Sequence, residues 1–249
     1  MDLRTRIFSD SKEACRSLAA DIVAMIKVVN ASGRHAVLGL ATGSSPLPLY
    51  QELIRLHQCG LVSFEKVITF NLDEYLGLPA DHPESYRTYM DRALFDHIDI
   101  SQQNTHVPDG SVEADIVSSV CENYERSIRE AGGIDIQLLG IGRTGHIGFN
   151  EPGSDKDSRT RRVALDPKTR QDAAAAFGGL EHVPTHAISM GCGTILEARQ
   201  IALLAWGSGK EKIVSQALNG PVTSEISASF LQQHPRTNWF LDKAAAGRR

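Results

Sequence analysis

The sequence predicts an α/β protein, because short apolar runs that end in polar or glycine-rich loops alternate with stretches of helical spacing along its 249 residues. Alternation of this kind builds a mostly parallel sheet with helices on both faces. A second observation is the run Ile134 to Glu151, IDIQLLGIGRTGHIGFNE, where a buried strand empties into flexible backbone carrying His146, Asn150 and Glu151. That is how a parallel sheet presents chemistry at a strand's carboxyl end.

Asp10 or Ser11 can cap a first helix, since Ala14, Leu18, Ile22, Met25, Ile26 and Val29 then recur on one face. Ala36 to Leu40 reads as a strand, Thr42-Gly43-Ser44-Ser45-Pro46 as its loop, and the spacing of Leu49, Leu53 and Leu56 as the next helix. The same rhythm returns at Val67 to Phe70 before Asn71-Leu72-Asp73-Glu74, and at Ile136 to Leu139 before Gly140-Ile141-Gly142. It returns again at Ile201 to Trp206 before Gly207-Ser208-Gly209-Lys210. Further helices are expected at Ser85 to Phe95, Val112 to Glu130 and Glu211 to Leu218, and further strands near Ala187 to Met190 and Trp239 to Leu241.

With no repeat of fixed period and no linker, residues 1–249 read as a single Rossmann-like domain. The stretch 154–184 departs from the rhythm: SDKDSRTRR is followed by Asp166-Pro167 and by an alanine-rich run ending in Gly178-Gly179. A polar, glycine-bounded insertion just after the site loop is a candidate lid, and an ordinary pair of surface helices is the alternative.

Composition narrows the function classes. A balance of 26 Lys+Arg against 30 Asp+Glu leaves a net charge of -4 and no basic stripe, which argues against nucleic acid as a partner. Cys15, Cys59, Cys121 and Cys192 are widely spaced and form no CxxC pair, so reduced structural thiols are expected. The amino-terminal segment lacks the apolar core of a signal peptide and no later stretch reaches the length of a membrane span, which points to a cytoplasmic protein with no membrane partner.

In a parallel sheet the loops after the strands lie on one edge, so Thr42 to Ser45, Asp73-Glu74, Gly140 to Glu151 and Gly207 to Lys210 can converge on one crevice. Thr42, Gly43, Ser44 and Ser45 offer backbone N–H groups and hydroxyls ahead of a helix, a setting suited to phosphate or to a plain capping turn. Lys210 in GSGK favours the anion, although the glycine spacing of a nucleotide-binding P-loop is missing. Asp73 and Glu74, if extended, point to opposite faces, so one can address a substrate while the other makes a structural contact. A carboxylate desolvated at a strand end can take a proton from carbon. His146 lies among glycines with Glu151 within reach of a folded loop, an arrangement for moving protons near neutral pH. Asp73, His146 and Glu151 could instead ligate a metal, yet no HxxxH, HxH or Cys-His spacing supports a site, so neither metal nor cofactor is expected.

Several blocks, LGLATGSSP, VITFNLDEYLGLPADHPESYRTYM, GIGRTGHIGFNEPGS with SRTR following, and GSGK, span roughly residues 38 to 240. They resemble the glucosamine-6-phosphate deaminase (isomerase) family, which shares a broader superfamily with 6-phosphogluconolactonases. The resemblance implies a cofactor-free conversion of an amino-sugar phosphate, glucosamine 6-phosphate, with water to fructose 6-phosphate and ammonia. It implies that His146 assists ring opening with support from Glu151, and that Asp73 moves a proton between carbon-2 and carbon-1. Thr42, Gly43, Ser44, Ser45 and Lys210 would hold the phosphate.

Three positions depart from the family's pattern. Thr144 stands where many relatives have Asp or Asn, leaving His146 without that charge and more reliant on Glu151. The lid reads TRQDAAAAFGG, so the arginine that relatives aim at the phosphate falls near Ala175, and Arg170 becomes the candidate replacement. Arg161 is present but Val163 replaces a basic residue of the allosteric members, so strong allosteric activation is not expected, and homo-oligomerisation is left open. The competing functions are a 6-phosphogluconolactonase-like hydrolase, which needs no proton transfer between carbons, and a non-catalytic sugar-phosphate sensor.

Overall fold

The computed structural model describes residues 5–79 and 81–248 of the chain. β1 (Thr5–Phe8) leads into α1 (Ser11–Ala31), and β2 (Ala36–Leu40) into α2 (Leu47–Gln58). β3 (Val67–Asn71) runs on into a short β4 (Asp73–Tyr75), followed by α3 (Tyr86–Ala93) and β5 (Thr105–His106). α4 (Val117–Glu130) precedes β6 (Ile136–Leu139), after which come β7 (Arg161–Ala164), α5 (Pro167–Ala173), β8 (His186–Ser189) and α6 (Cys192–Leu196). β9 (Ile201–Ala205), α7 (Glu211–Asn219) and β10 (Thr237–Asp242) complete the order.

Seven strands form one sheet in the order β1-β10-β9-β6-β2-β3-β5, and all its pairings are parallel. Every residue of β2, β6 and β9 is buried, as continuous apolar runs must be when helices cover both faces. On one face α1, α2 and α3 pack over Leu38, Leu40, Ile136, Leu138, Leu204 and Phe240. On the other, α4, α6 and α7 pack over Val37, Phe70, Leu139, Ile201, Leu203 and Leu241. Because β2 and β6 are neighbours while the chain leaves them toward opposite edges, the sheet's topological switch lies between these strands. The loops after them open the crevice where open α/β sheets take ligands.

Asp10 caps α1, its side chain accepting the Glu13 N–H at 2.8 Å, and Ser85 caps α3. α3 stops at Ala93, and the expected extension to Phe95 is a separate 3-10 turn, Phe95–His97. α4 starts at Val117 rather than Val112, because Asp109 closes a turn by accepting from the Ser111 N–H and hydroxyl. Val112 instead packs beside Val117, Cys121 and Ile188 in a small cluster.

Two expectations are corrected. The strand near Ala187 to Met190 does not join the large sheet: β8 pairs antiparallel with β4 and β7 in a second sheet of three strands, ordered β4-β8-β7. The stretch 154–184 is not one loosely held insertion. Its first half is anchored where Glu125 of α4 accepts from the Thr160 N–H and hydroxyl, the Thr194 hydroxyl and Arg159, and where β7 pairs with β8. In the second half α5 itself has no buried residue, although Phe177 and Val183 after it pack inward, so a part able to lift is confined to that helix.

Candidate active site

One concave site collects residues from three strand ends and the start of α3. Its lining includes Ala41 to Ser45 after β2, Leu72 and Asp73 after β3, Tyr86 at the start of α3, and Gly140, Ile141, Gly142, His146, Gly148 and Phe149 after β6. Thr42, Gly43, Ser44, Ser45, Asp73 and His146 therefore share one cavity, whereas Thr144, Glu151, Lys210 and Arg170 do not line it directly.

The loop after β2 is held from outside. Tyr50 donates its hydroxyl to the Ala41 carbonyl at 2.5 Å, Tyr89 to that of Gly43 at 2.7 Å, and Trp206 Nε1–H to that of Ser45 at 2.9 Å. In a trans peptide the N–H points opposite to its C=O, so fixing the carbonyls of Ala41 and Gly43 outward turns the Thr42 and Ser44 N–H groups the other way. Gly43 adopts φ 95, a backbone region that other residues enter only with strain. The result is a row of donors suited to an anion. Lys210 is held at the loop after β6: its ammonium donates to the Ile141 carbonyl at 2.7 Å, and burial lowers its pKa, with Asp172 and Arg143 close enough to act on it in opposite directions.

Asp73 and Glu74 divide as the pleat of β4 requires. Glu74 turns away from the cavity and accepts from the N–H groups of Tyr75, Tyr86 and Arg87 and from the Ser85 hydroxyl, which seats α3. Burial raises the Glu74 carboxyl above its usual range, and these four donors work against that rise without cancelling it. Asp73 is 5% exposed, and burial, reinforced by the neighbouring Glu74 charge, pushes its carboxyl up to about 8. A Cβ on Gly148, which lies at φ 54, would sit 3.4 Å from Asp73 Oδ2, so the bare backbone of the second loop forms the wall opposite the carboxylate.

His146 reaches the cavity by crossing Gly142 so closely that a Cβ there would lie 2.1 Å from Nε2. Its Nδ1 faces two oxygens, Thr144 Oγ1 at 2.8 Å and Glu151 Oε2 at 2.9 Å. A protonated Nδ1 can give its hydrogen to either oxygen, while an unprotonated one can only receive the threonine hydroxyl. The Glu151 contact is close but set off the line of a well-formed hydrogen bond, and no other described group bonds that oxygen. Burial pushes Glu151 upward, but His146, the Thr169 hydroxyl and the Asp166 N–H outweigh it and hold the carboxyl below its usual range. Asn150 is a buried brace: its amide donates to the carbonyls of Ile147 and Met190 and accepts from Arg161.

Arg170 is not brought to the phosphate loop. Its guanidinium donates to the Leu180 and Val183 carbonyls at 3.0 Å each, closing the α5 segment on itself, and Ala175 is exposed with no charge to offer. Sequence reasoning missed Tyr86, which lines the cavity beside Thr42, and the donors Tyr50, Tyr89 and Trp206. Tyr86 follows Ser85, the capping residue, and its place in the block HPESYRTYM was the available signal. Among the described residues no cluster of three or more His, Cys, Asp or Glu side chains is placed to hold a metal ion, and no helix is long and apolar enough to cross a membrane.

Comparison with known proteins adds four findings to this geometry. A family profile described as Glucosamine-6-phosphate isomerases/6-phosphogluconolactonase matches residues 9–239. A curated relative from Shewanella loihica, named glucosamine-6-phosphate deaminase, is 50% identical over 242 residues, covering 97% of this chain and 88% of its own length. A solved structure described as a monomeric glucosamine-6-phosphate deaminase superposes with a TM-score of 0.93 at 40% identity, over 99% of this chain and 100% of that one. The 6-phosphogluconolactonase from Trypanosoma cruzi superposes at 0.79 with 22% identity, over 98% of this chain and 96% of that one, a likeness of fold alone.

Proposed function

The chain belongs to the family of glucosamine-6-phosphate isomerases and 6-phosphogluconolactonases, and on that premise we propose that it converts glucosamine 6-phosphate and water to fructose 6-phosphate and ammonia. The observation that carries the deaminase over the lactonase is Asp73, a desolvated carboxylate facing the same small cavity as His146 and the donor loop. Opening a lactone requires activated water and no proton transfer between carbons. Isomerising an amino sugar requires a base of raised pKa beside carbon-2, which burial supplies here.

The phosphate docks on the N–H groups and hydroxyls of Thr42 to Ser45, with Lys210 turning from the Ile141 carbonyl to meet it. His146 transfers a proton between the ring oxygen and the carbon-1 hydroxyl, opening the sugar to its aldehyde, and Glu151 stabilises the imidazolium form. Thr144 keeps a neutral hydroxyl on the same nitrogen. Asp73 then removes the hydrogen on carbon-2, giving an enolamine, and returns it to carbon-1. The resulting imine at carbon-2 takes up water and releases ammonia, leaving the ketone.

The test is incubation with glucosamine 6-phosphate in the presence of a chelator, with ammonia and fructose 6-phosphate measured together. Stoichiometric release of both is expected. Hydrolysis of 6-phosphogluconolactone without ammonia release would replace this reading with the lactonase, and binding without turnover would replace it with a sensor.

A further inference from the structure

Glu151 is the carboxylate that meets His146, and its two oxygens are held from different sides. Oε2 lies against the imidazole, and Oε1 accepts the Thr169 hydroxyl at 2.5 Å. The Asp166 N–H also bonds this carboxylate. Both donors come from α5 and its capping residue, and the helix has no buried residue of its own. The helix itself is seated by polar contacts, Arg143 of the site loop pairing with Asp172 at 2.9 Å and Arg170 tying it to its own return at Leu180 and Val183, while Phe177 after it packs against Tyr75 and His82. The phosphate loop, by contrast, is fixed by Tyr50, Tyr89 and Trp206, none of which touches α5 through these bonds.

We propose that Thr169 is a positioning residue for the reaction: its hydroxyl fixes Glu151 Oε1 so that Oε2 meets His146 Nδ1, making proton transfer by His146 depend on the seat of α5. The proposal rests on the deaminase reading for its rate measurement, although the contact itself does not. A carboxylate held at one oxygen by a hydroxyl cannot rotate without breaking that bond, and a donor lost from a weakly packed helix frees it to turn toward water. Substrate would still bind the separately anchored donor loop. Misplacing the acid–base pair therefore lowers turnover and leaves affinity alone.

Thr169→Val keeps the shape of the side chain and removes the hydroxyl, while Thr169→Ser keeps the hydroxyl. In steady-state assays with glucosamine 6-phosphate, Thr169→Val is expected to lower kcat about ten- to a hundredfold with KM changed by less than about twofold. Thr169→Ser is expected to stay near wild type. Nitrogen-15 resonances of the His146 ring, assigned with His146→Gln, should move in the valine protein and not in the serine protein. Thermal melting of both variants should match wild type, since Thr169 is only half-buried. A valine protein with unchanged kcat and ring resonances would overturn the proposal, as would a serine protein impaired as severely as the valine one. If the wild type releases no ammonia, the proposed reaction fails, and the ring resonances alone decide whether Thr169 positions Glu151 and His146.

Discussion

At Asp73 chemistry and stability pull in opposite directions. Its carboxyl titrates at about 8 in the fold against an ordinary 3.8, so the native protein holds a proton that the unfolded chain has released. Stability from this group is therefore lost as pH rises above the unfolded value, and the loss levels off only once pH passes the folded one. Asp73→Asn preserves the shape and has nothing to ionise. The variant is expected to melt at a higher temperature than wild type, with the gap wider at about pH 8 than at about pH 5. Its turnover should fall by about 10² to 10⁴ because a positioned base is gone. Calorimetry at the two pH values beside an ammonia-release assay checks both halves, and a destabilised variant would mean that burial of the charge is not what the fold tolerates for function.

Gly142 is a second single-residue case. No side chain fits there, because His146 Nε2 occupies the space where a Cβ would stand. Gly142→Ala must push the imidazole off Gly142, and about a hundredfold loss of kcat is expected with the fold retained. A crystal structure of the variant with His146 in its original rotamer and full activity would contradict this. Glycines around His146 were legible in the sequence as a cleared space, but the identity of the clashing atom was not, since spacing along a loop does not say which ring folds back over which backbone.

The elements show the same division. Strands buried on both faces wrote themselves into the sequence as unbroken apolar runs, which is why β2, β3, β6, β9 and β10, and with them α1, α2, α3, α4 and α7, could be placed. β4, β5 and β7 span three, two and four residues, too few for any period to emerge, and β7 alternates between half-buried and exposed positions without a strongly apolar side. β8 was visible as a strand, yet sheet membership depends on which edge it meets, and that is a tertiary fact. The phosphate loop shows what this costs a sequence reading: Thr42 to Ser45 could be named, but the aromatic donors that set its N–H groups inward come from α2, α3 and the end of β9. Trp206→Phe removes one of these donors and keeps most of the ring. With the Ser45 carbonyl released, KM for glucosamine 6-phosphate is expected to rise about threefold to tenfold, the effect of roughly one lost hydrogen bond, with kcat little changed. Equal KM values in steady-state assays would show that the loop holds its shape without Trp206.

Across the whole molecule, the crevice at the switch between β2 and β6 brings Thr42 to Ser45, Asp73 and His146 of one chain to one cavity. Whether such a site responds to a second sugar phosphate depends on a distinct cationic pocket whose occupation changes the first. The positions where that pocket would form are occupied otherwise. Arg161 donates to Asn150 Oδ1 and the Ser154 hydroxyl, bracing the strand that follows the site loop, and burial lowers its pKa. Val163 packs into the small apolar cluster of Tyr75, Phe149 and Leu165 and offers no charge. Arg161 shares a cavity with Arg129, Arg159 and Arg162, but Glu122 and Glu125 line it too and Arg159 is paired with Glu125 and Glu197; engaged guanidinium groups are weak anchors for a phosphate, because binding must first break the bonds that hold them. Initial rates are therefore expected to follow a hyperbola in glucosamine 6-phosphate, and N-acetylglucosamine 6-phosphate is expected to act, if at all, as a competitor at the same site. A sigmoidal curve that this compound converts to a hyperbola, or a several-fold rise in kcat at saturating substrate, would show a second site that Arg161 and Val163 do not account for.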